Sequence, residues 1–145
     1  MKKKVLVLCT GNSCRSILAE AMINHILGDR WEACSAGVSP SVVHPRTIKV
    51  LQEMGIGTAE LRSKSVREFL SRQDLDLVIT VCDNAREQCP VFTRPVQQIH
   101  IGIPDPVSYV PAPEEDSLAG FRKAAEQIQR TIIERLAQLE QSGEV

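Results

Sequence analysis

An apolar run, Val5-Leu6-Val7-Leu8, opens directly into Cys9-Thr10-Gly11-Asn12-Ser13-Cys14-Arg15-Ser16, and helical spacing follows from Ile17 to Leu27. This strand, loop and helix make an oxyanion cradle. Five residues between Cys9 and Arg15 let the loop wrap once around a tetrahedral anion, with Gly11 supplying a backbone conformation that bulkier residues resist and successive N–H groups turning inward. The helix N-terminus adds positive potential, and Arg15 presents a planar fork that holds two oxygens of phosphate or an isosteric anion. The candidate anion-binding residues are therefore Thr10, Gly11, Asn12, Ser13, Cys14 and Arg15. Reactive cysteines sit in such electropositive surroundings, which makes Cys9 the candidate nucleophile, with Ser16 placed to donate to its sulfur. A buried cysteine beside an arginine in a surface ion pair is the ordinary alternative. It leaves unexplained why Cys, Gly, Arg and Ser all fall where a strand-to-helix phosphate loop needs them.

The rest of the chain suits one α/β domain over 1–145, a length that buries a core without disulfide staples. The formal net charge of −1 gives no footprint for nucleic acid, and Lys2-Lys3-Lys4 reads as a solvated start. No apolar stretch approaches the ~20 residues of a membrane span, and no signal-peptide pattern precedes the first strand. A cytoplasmic protein is expected. Its five cysteines, an odd number in a reducing compartment, favour chemistry or core packing over a disulfide framework.

Four apolar, β-branched runs alternate with helical patterns: Lys4 to Leu8, Glu32 to Val38, Leu75 to Val81 and Gln97 to Ile101. That alternation predicts a parallel sheet. Helices are expected from Ser16 to Leu27, Pro45 to Glu53, Ser65 to Leu70, Asn84 to Gln88 and Glu114 to Leu139. In the last of these, Leu118, Phe121, Ala125, Ile128, Ile132, Leu136 and Leu139 form one apolar stripe. A stiff loop from Ile103 to Pro113 carries four prolines.

Ligands of open parallel sheets bind beyond the carboxyl ends of the strands, so the residues that follow different strands meet there. Cys9, Cys82 and Asp105 should share that rim. Asp105 lies between Pro104 and Pro106 in a restricted backbone, which suits a carboxyl that exchanges one proton with a bound anion; a plain turn residue is the alternative. Cys82 and Cys89 read either as two core thiols or as a redox pair. In a continuous helix, seven steps of about 1.5 Å put their Cα atoms about 10 Å apart, beyond the ~7 Å limit for a disulfide. A bond between them would unwind the segment, and Pro90 already discourages its continuation.

Cys34 sits inside a strand and reads as core. Cys14 lies in the loop, where oxidation could, if it is exposed, join it to Cys9. A zinc site built from Cys9, Cys14, Cys82 and Cys89 lacks the usual close pairs, and His25, His44 and His100 show no ligand spacing, each reading as a surface or helix-end residue.

Cys9-Thr10-Gly11-Asn12-Ser13-Cys14-Arg15-Ser16, Ser35-Ala36-Gly37, Cys82 with Cys89, and Asp105-Pro106 together resemble the thioredoxin-coupled arsenate reductases, which share the low-molecular-weight protein tyrosine phosphatase fold. The likeness runs from Lys3 to the C-terminal helix. It implies a four-stranded parallel sheet in the order 2-1-3-4 with helices on both faces. It also implies that Cys9 is the nucleophile, that Arg15 and the loop amides bind the oxyanion, that Asp105 is the acid/base, that Cys82 and Cys89 form the relay, and that thioredoxin restores the enzyme. A monomer is expected, although nothing in the sequence fixes the oligomeric state.

Electron counting agrees. Reducing pentavalent arsenic takes two electrons, and no dinucleotide fingerprint or flavin motif is present, so no cofactor is expected; two thiols becoming a disulfide supply both. The alternative is a phosphatase, which would use Cys9 and Asp105 and leave Cys82 and Cys89 idle. Against it, a phosphotyrosine pocket wants aromatic walls, whereas the chain has one Tyr and one Trp, and Val107-Ser108 follow Asp105-Pro106 where that branch has adjacent tyrosines. A non-catalytic oxyanion-binding module is the third possibility. Some relatives bind potassium near the loop through residues matching Asn12, Glu20 and Ser35, but this chain has Ser63-Lys64 near the fourth position. The Lys64 ammonium could replace the ion, so no metal requirement is expected.

Overall fold

The computed structural model describes residues 2–143. The elements run β1 (Lys3–Cys9), α1 (Arg15–Ile26), β2 (Trp31–Gly37), α2 (Pro45–Glu53), a 3-10 turn (Val66–Phe69), β3 (Leu77–Thr80), α3 (Asp83–Gln88) and β4 (Gln97–His100). A second 3-10 turn (Pro106–Ser108), α4 (Ala119–Ile128), a π turn (Gln129–Ile133) and α5 (Glu134–Ser142) complete the chain. The four strands pair in parallel in the order β2-β1-β3-β4, as expected from the resemblance. Val5 through Leu8 in β1 and Leu77 through Ile79 in β3 are fully buried without alternation, so both faces of the sheet are covered, as parallel strands require.

The expected elements form with shifts at their ends, except that the helix expected from Ser65 to Leu70 is a 3-10 turn and the long C-terminal helix is interrupted by the π turn at Gln129–Ile133. β3 begins at Leu77 rather than Leu75, because the Asp76 carboxylate accepts the Lys4 N–H at 2.8 Å and displaces the ladder there. The long C-terminal helix starts at Ala119, not Glu114. Glu115 accepts the Ala112 N–H and Asp116 the Leu118 N–H, a side-chain competition that holds the preceding segment in turns. Beyond it Phe121, Ala125, Ile128, Ile132, Leu136 and Leu139 are buried as the stripe predicts, while Leu118 is half-buried. Among the described residues no helix is long and apolar enough to cross a membrane.

Register places the site. Cys9 lies opposite Gly37, Leu8 opposite Thr80, and Thr80 opposite His100, so all four strands end along one rim. Gly37 must be glycine: a Cβ there would lie 2.5 Å from Thr10 O and 2.9 Å from Asn12 N, and β2 could not support the loop so closely.

Candidate active site

The loop after β1 is built by disposing of its carbonyls. Cys9 O accepts from Val38 N, Thr10 O from Ser39 N, Gly11 O from Ser41 N and the Ser63 hydroxyl, Ser13 O from His44 N and the Thr47 hydroxyl, and Cys14 O from Leu18 N. These bonds hold the loop's oxygens outward, as an anion nest requires. Asn12 N already points at the Cys9 sulfur, at 3.2 Å.

The positive φ in the loop falls on Asn12, at 48°, and not on Gly11 as the sequence suggested. Asparagine tolerates that region better than other side chains, and here it is locked. Its Oδ1 accepts from Lys64 N at 2.7 Å, while its Nδ2 donates to Ser16 Oγ at 2.8 Å and to Ser35 Oγ at 2.9 Å. The Ser16 oxygen thus occupied as an acceptor leaves its hydrogen for Cys9 Sγ, 2.8 Å away. Ser35 in turn donates to Glu20 Oε1 at 2.6 Å. Lys64 Nζ closes the network, 3.4 Å from Glu20 Oε1 and donating to Arg62 O at 2.8 Å. Both partners are mostly buried, with side chains 8% and 14% exposed.

Arg15 opens α1, and its Nη1 donates to Ile103 O at 3.2 Å, tying the guanidinium to the segment that leaves β4. Two residues further on, Asp105 is exposed and caps the second 3-10 turn, accepting from Val107 N at 3.0 Å and from Ser108 Oγ at 3.4 Å. His44 caps α2 as a helix-end residue, its Nδ1 accepting from Arg46 N. Burial and nearby Arg46 lower its pKa, while Asp105 opposes that shift, so its neutral form donates from Nε2.

Cys82 caps the other end of the site. Its sulfur accepts the Ala85 N–H at 3.4 Å, making it the N-cap of α3, and lies 3.3 Å from the hydroxyl of Thr10 in the loop. Asn84 Nδ2 donates to that hydroxyl oxygen at 3.0 Å, leaving the Thr10 hydrogen free for the Cys82 sulfur. Cys89 is the C-cap of α3, its backbone already extended before Pro90. Burial pushes the thiols of Cys89 and Cys14 above their ordinary values and that of Cys34 up to about 12.

The structure therefore gathers Cys9, Thr10, Gly11, Asn12, Ser13, Cys14, Arg15 and Ser16 with Cys82 at one rim, sets Cys89 at the far end of α3, and leaves Asp105 on an exposed turn joined to the site through the Ile103 contact. His100, Asn84 and Thr47, which holds Ser13 O, are supporting residues that the sequence does not mark. His100, taken as a surface or helix-end residue, is partly buried in β4, within 2.8 Å of Thr80 Oγ1 through Nδ1 and 3.4 Å of Asp83 Oδ1 through Nε2. Asn84 looked like any helical polar residue, since nothing local marks its reach to Thr10.

A cysteine closing a strand, a loop tied outward through its carbonyls and an arginine opening the next helix make a strand–loop–helix with the spacing of a phosphate loop. Residues 4–145 match the family model described as low molecular weight phosphotyrosine protein phosphatase, and the chain belongs to that family. An arsenate reductase of Bacillus licheniformis is 35% identical over 143 residues, which cover 99% of either chain. Among solved structures, an arsenate reductase in the phosphate binding state is 27% identical with a TM-score of 0.71, over 94% of this chain and 98% of the other. The YwlE arginine phosphatase from Geobacillus stearothermophilus is 25% identical with a TM-score of 0.71, over 98% of this chain and 95% of the other.

Proposed function

We propose that this protein reduces arsenate to arsenite and passes the resulting disulfide to thioredoxin. The observation that carries the reading is the Cys82 sulfur, 3.3 Å from the hydroxyl of a residue next to Cys9, at the head of a helix whose other cap is Cys89. A phosphatase has no use for a second thiol so placed. Full-length similarity to an arsenate reductase at 35% identity supports the same reading.

In the proposed sequence the Cys9 thiolate attacks the arsenic of bound arsenate, an oxygen leaves as water with a proton from Asp105, and an S–As bond forms. Arg15 and the loop amides hold the remaining oxygens. Cys82 thiolate then attacks the Cys9 sulfur. The S–As bond breaks, its electron pair goes to arsenic, arsenite departs, and a Cys9–Cys82 disulfide remains. Cys89 thiolate attacks the Cys82 sulfur, releasing Cys9 as thiolate and leaving a Cys82–Cys89 disulfide for an external dithiol. Thioredoxin is the dithiol of suitable potential. Burial keeps Cys89 protonated while α3 is intact, and α3 must unwind before the last exchange because a helix holds its two caps too far apart. Lys64, against Glu20, supplies beneath the loop the positive charge that a monovalent cation would otherwise bring.

The test gives the purified protein arsenate, thioredoxin, thioredoxin reductase and NADPH, and compares Cys9→Ser, Cys82→Ser and Cys89→Ser. Each should reduce multiple turnover to background. Undiminished arsenate turnover in Cys82→Ser would overturn the relay. The cradle and the likeness to an arginine phosphatase favour hydrolysis as a second reading; there, aryl phosphate cleavage would be the main activity, and only Cys9→Ser among the three would abolish it.

A further inference from the structure

The turn that carries Asp105 rests on one bare position of α4. Gly120 is buried in the first turn of that helix, and a Cβ on it would lie 2.7 Å from Pro106 O, 2.7 Å from Tyr109 Cβ and 3.1 Å from Tyr109 Cδ1. The 3-10 turn thus lies directly against the helix backbone. Asp105 precedes Pro106 and caps the same turn through Val107 N and Ser108 Oγ, so its carboxylate moves with it. The far end of the turn is held too. The Tyr109 hydroxyl donates to Glu115 Oε1, which also accepts the Ala112 N–H at 2.9 Å, and Lys123 Nζ stands 5.5 Å from the centre of the Tyr109 ring.

The next two residues of α4 fix the opposite rim. The Phe121 ring packs 4.9 Å from that of His44, whose N–H bonds Ser13 O in the loop. Arg122 bridges Glu53 of α2, at 2.9 and 2.7 Å, to Asp116, at 2.7 and 3.1 Å. One turn of helix therefore references the Asp105 turn to the anion loop.

We infer that Gly120 is a positioning residue for the proton transfer at Asp105: the missing side chain sets how far the carboxyl stands from the bound anion. The inference rests on the acid/base role proposed above. Carbon atoms pack at about 3.5–4.0 Å, so a methyl group at 120 would drive the turn back by roughly 1 Å. A proton donor must come within about 2.6–3.2 Å of its acceptor, and an error of about 1 Å in such placement can cost about a hundredfold in rate.

Single-turnover arsenite formation is measured for the wild type, Asp105→Asn, Gly120→Ala and the double variant, with inorganic phosphate as competitor to read the cradle separately. Asp105→Asn should slow the maximal rate about a hundredfold or more. Gly120→Ala should slow it about tenfold or more while phosphate affinity stays within about twofold, and should cost nothing further in the Asp105→Asn background. Tyr109→Ala removes the ring above Gly120 and leaves α4 intact; it should slow the wild type and not Asp105→Asn, and it decides the question if Gly120→Ala does not fold. An unchanged maximal rate, or the same fold-loss in both backgrounds, overturns the seating role. No loss in Asp105→Asn overturns the acid/base reading, and the seating role with it; a loss there with none in Gly120→Ala removes the seating role alone.

Discussion

The loop that holds Cys9 and the helix that joins Cys82 to Cys89 lie side by side and are held by opposite means. In the loop, five carbonyls have partners outside it, and Asn12, fully buried, makes three side-chain hydrogen bonds at 2.7–2.9 Å. α3 has six residues, of which only Ala85 is buried in the core, and its polar ties are the Cys82 cap, the Asn84–Thr10 bond and the Asp83–His100 contact. A helix so short has no stability of its own in water. Rigid placement suits the atom that must meet a tetrahedral anion in one geometry. Under the proposed relay, loose placement suits a segment whose two ends would have to leave the helical form to join.

The largest effect should come from attacking the rigid region. Asn12→Ala strands Lys64 N and leaves position 12 at positive φ without the amide that pins it, at a cost of about 3–4 kcal/mol. Denaturant unfolding reads the loss, and phosphate binding should vanish with it; a change under about 1 kcal/mol would dissolve the contrast. The loose region is sharpened by alkylation of Cys89. Its thiol is raised by desolvation in the folded, reduced protein, so a smaller fraction is thiolate than in an exposed thiol at any pH below the shifted value, and the gap closes as pH rises past it. Iodoacetamide labelling of Cys89 at pH 8 should be slow in the reduced protein and should be lost once arsenate has driven Cys89 into the Cys82–Cys89 disulfide, and unchanged labelling after arsenate would mean that α3 stays wound. The smallest expected effect is none: exchanging sodium for potassium should leave turnover unchanged, since Lys64 already faces Glu20. A marked rise with potassium would show the loop to be less complete than its bonds suggest.

The sheet, its helices and the loop were legible because they depend on local periodicity and on residues contiguous in the chain. α2 runs from Pro45 to Glu53 as the pattern predicted, with proline at its start and His44 capping it. What escaped depends on pairs distant in sequence. Asn12 and Lys64 are 52 residues apart, and Asn84 and Thr10 are 74 apart. Gly120 reads as a weak helix residue until the turn at Pro106 is set against it. Gly11 was credited with the strained conformation on residue type alone, whereas the bonds to Ser16, Ser35 and Lys64 assign that geometry to its neighbour. The convergence of Cys9 and Cys82 was foreseeable from topology, since it needs only parallel strands ending on the same side.

The ammonium beside Glu20 is covalently part of the polymer, and so it has no dissociation constant. Dialysis cannot remove it, and dilution or a fall in the surrounding salt cannot leave the carboxylate bare. Only a mutation can take it away, and a substitution at position 64 alone would leave Glu20 to find an external counterion, so these two positions should change together across lineages.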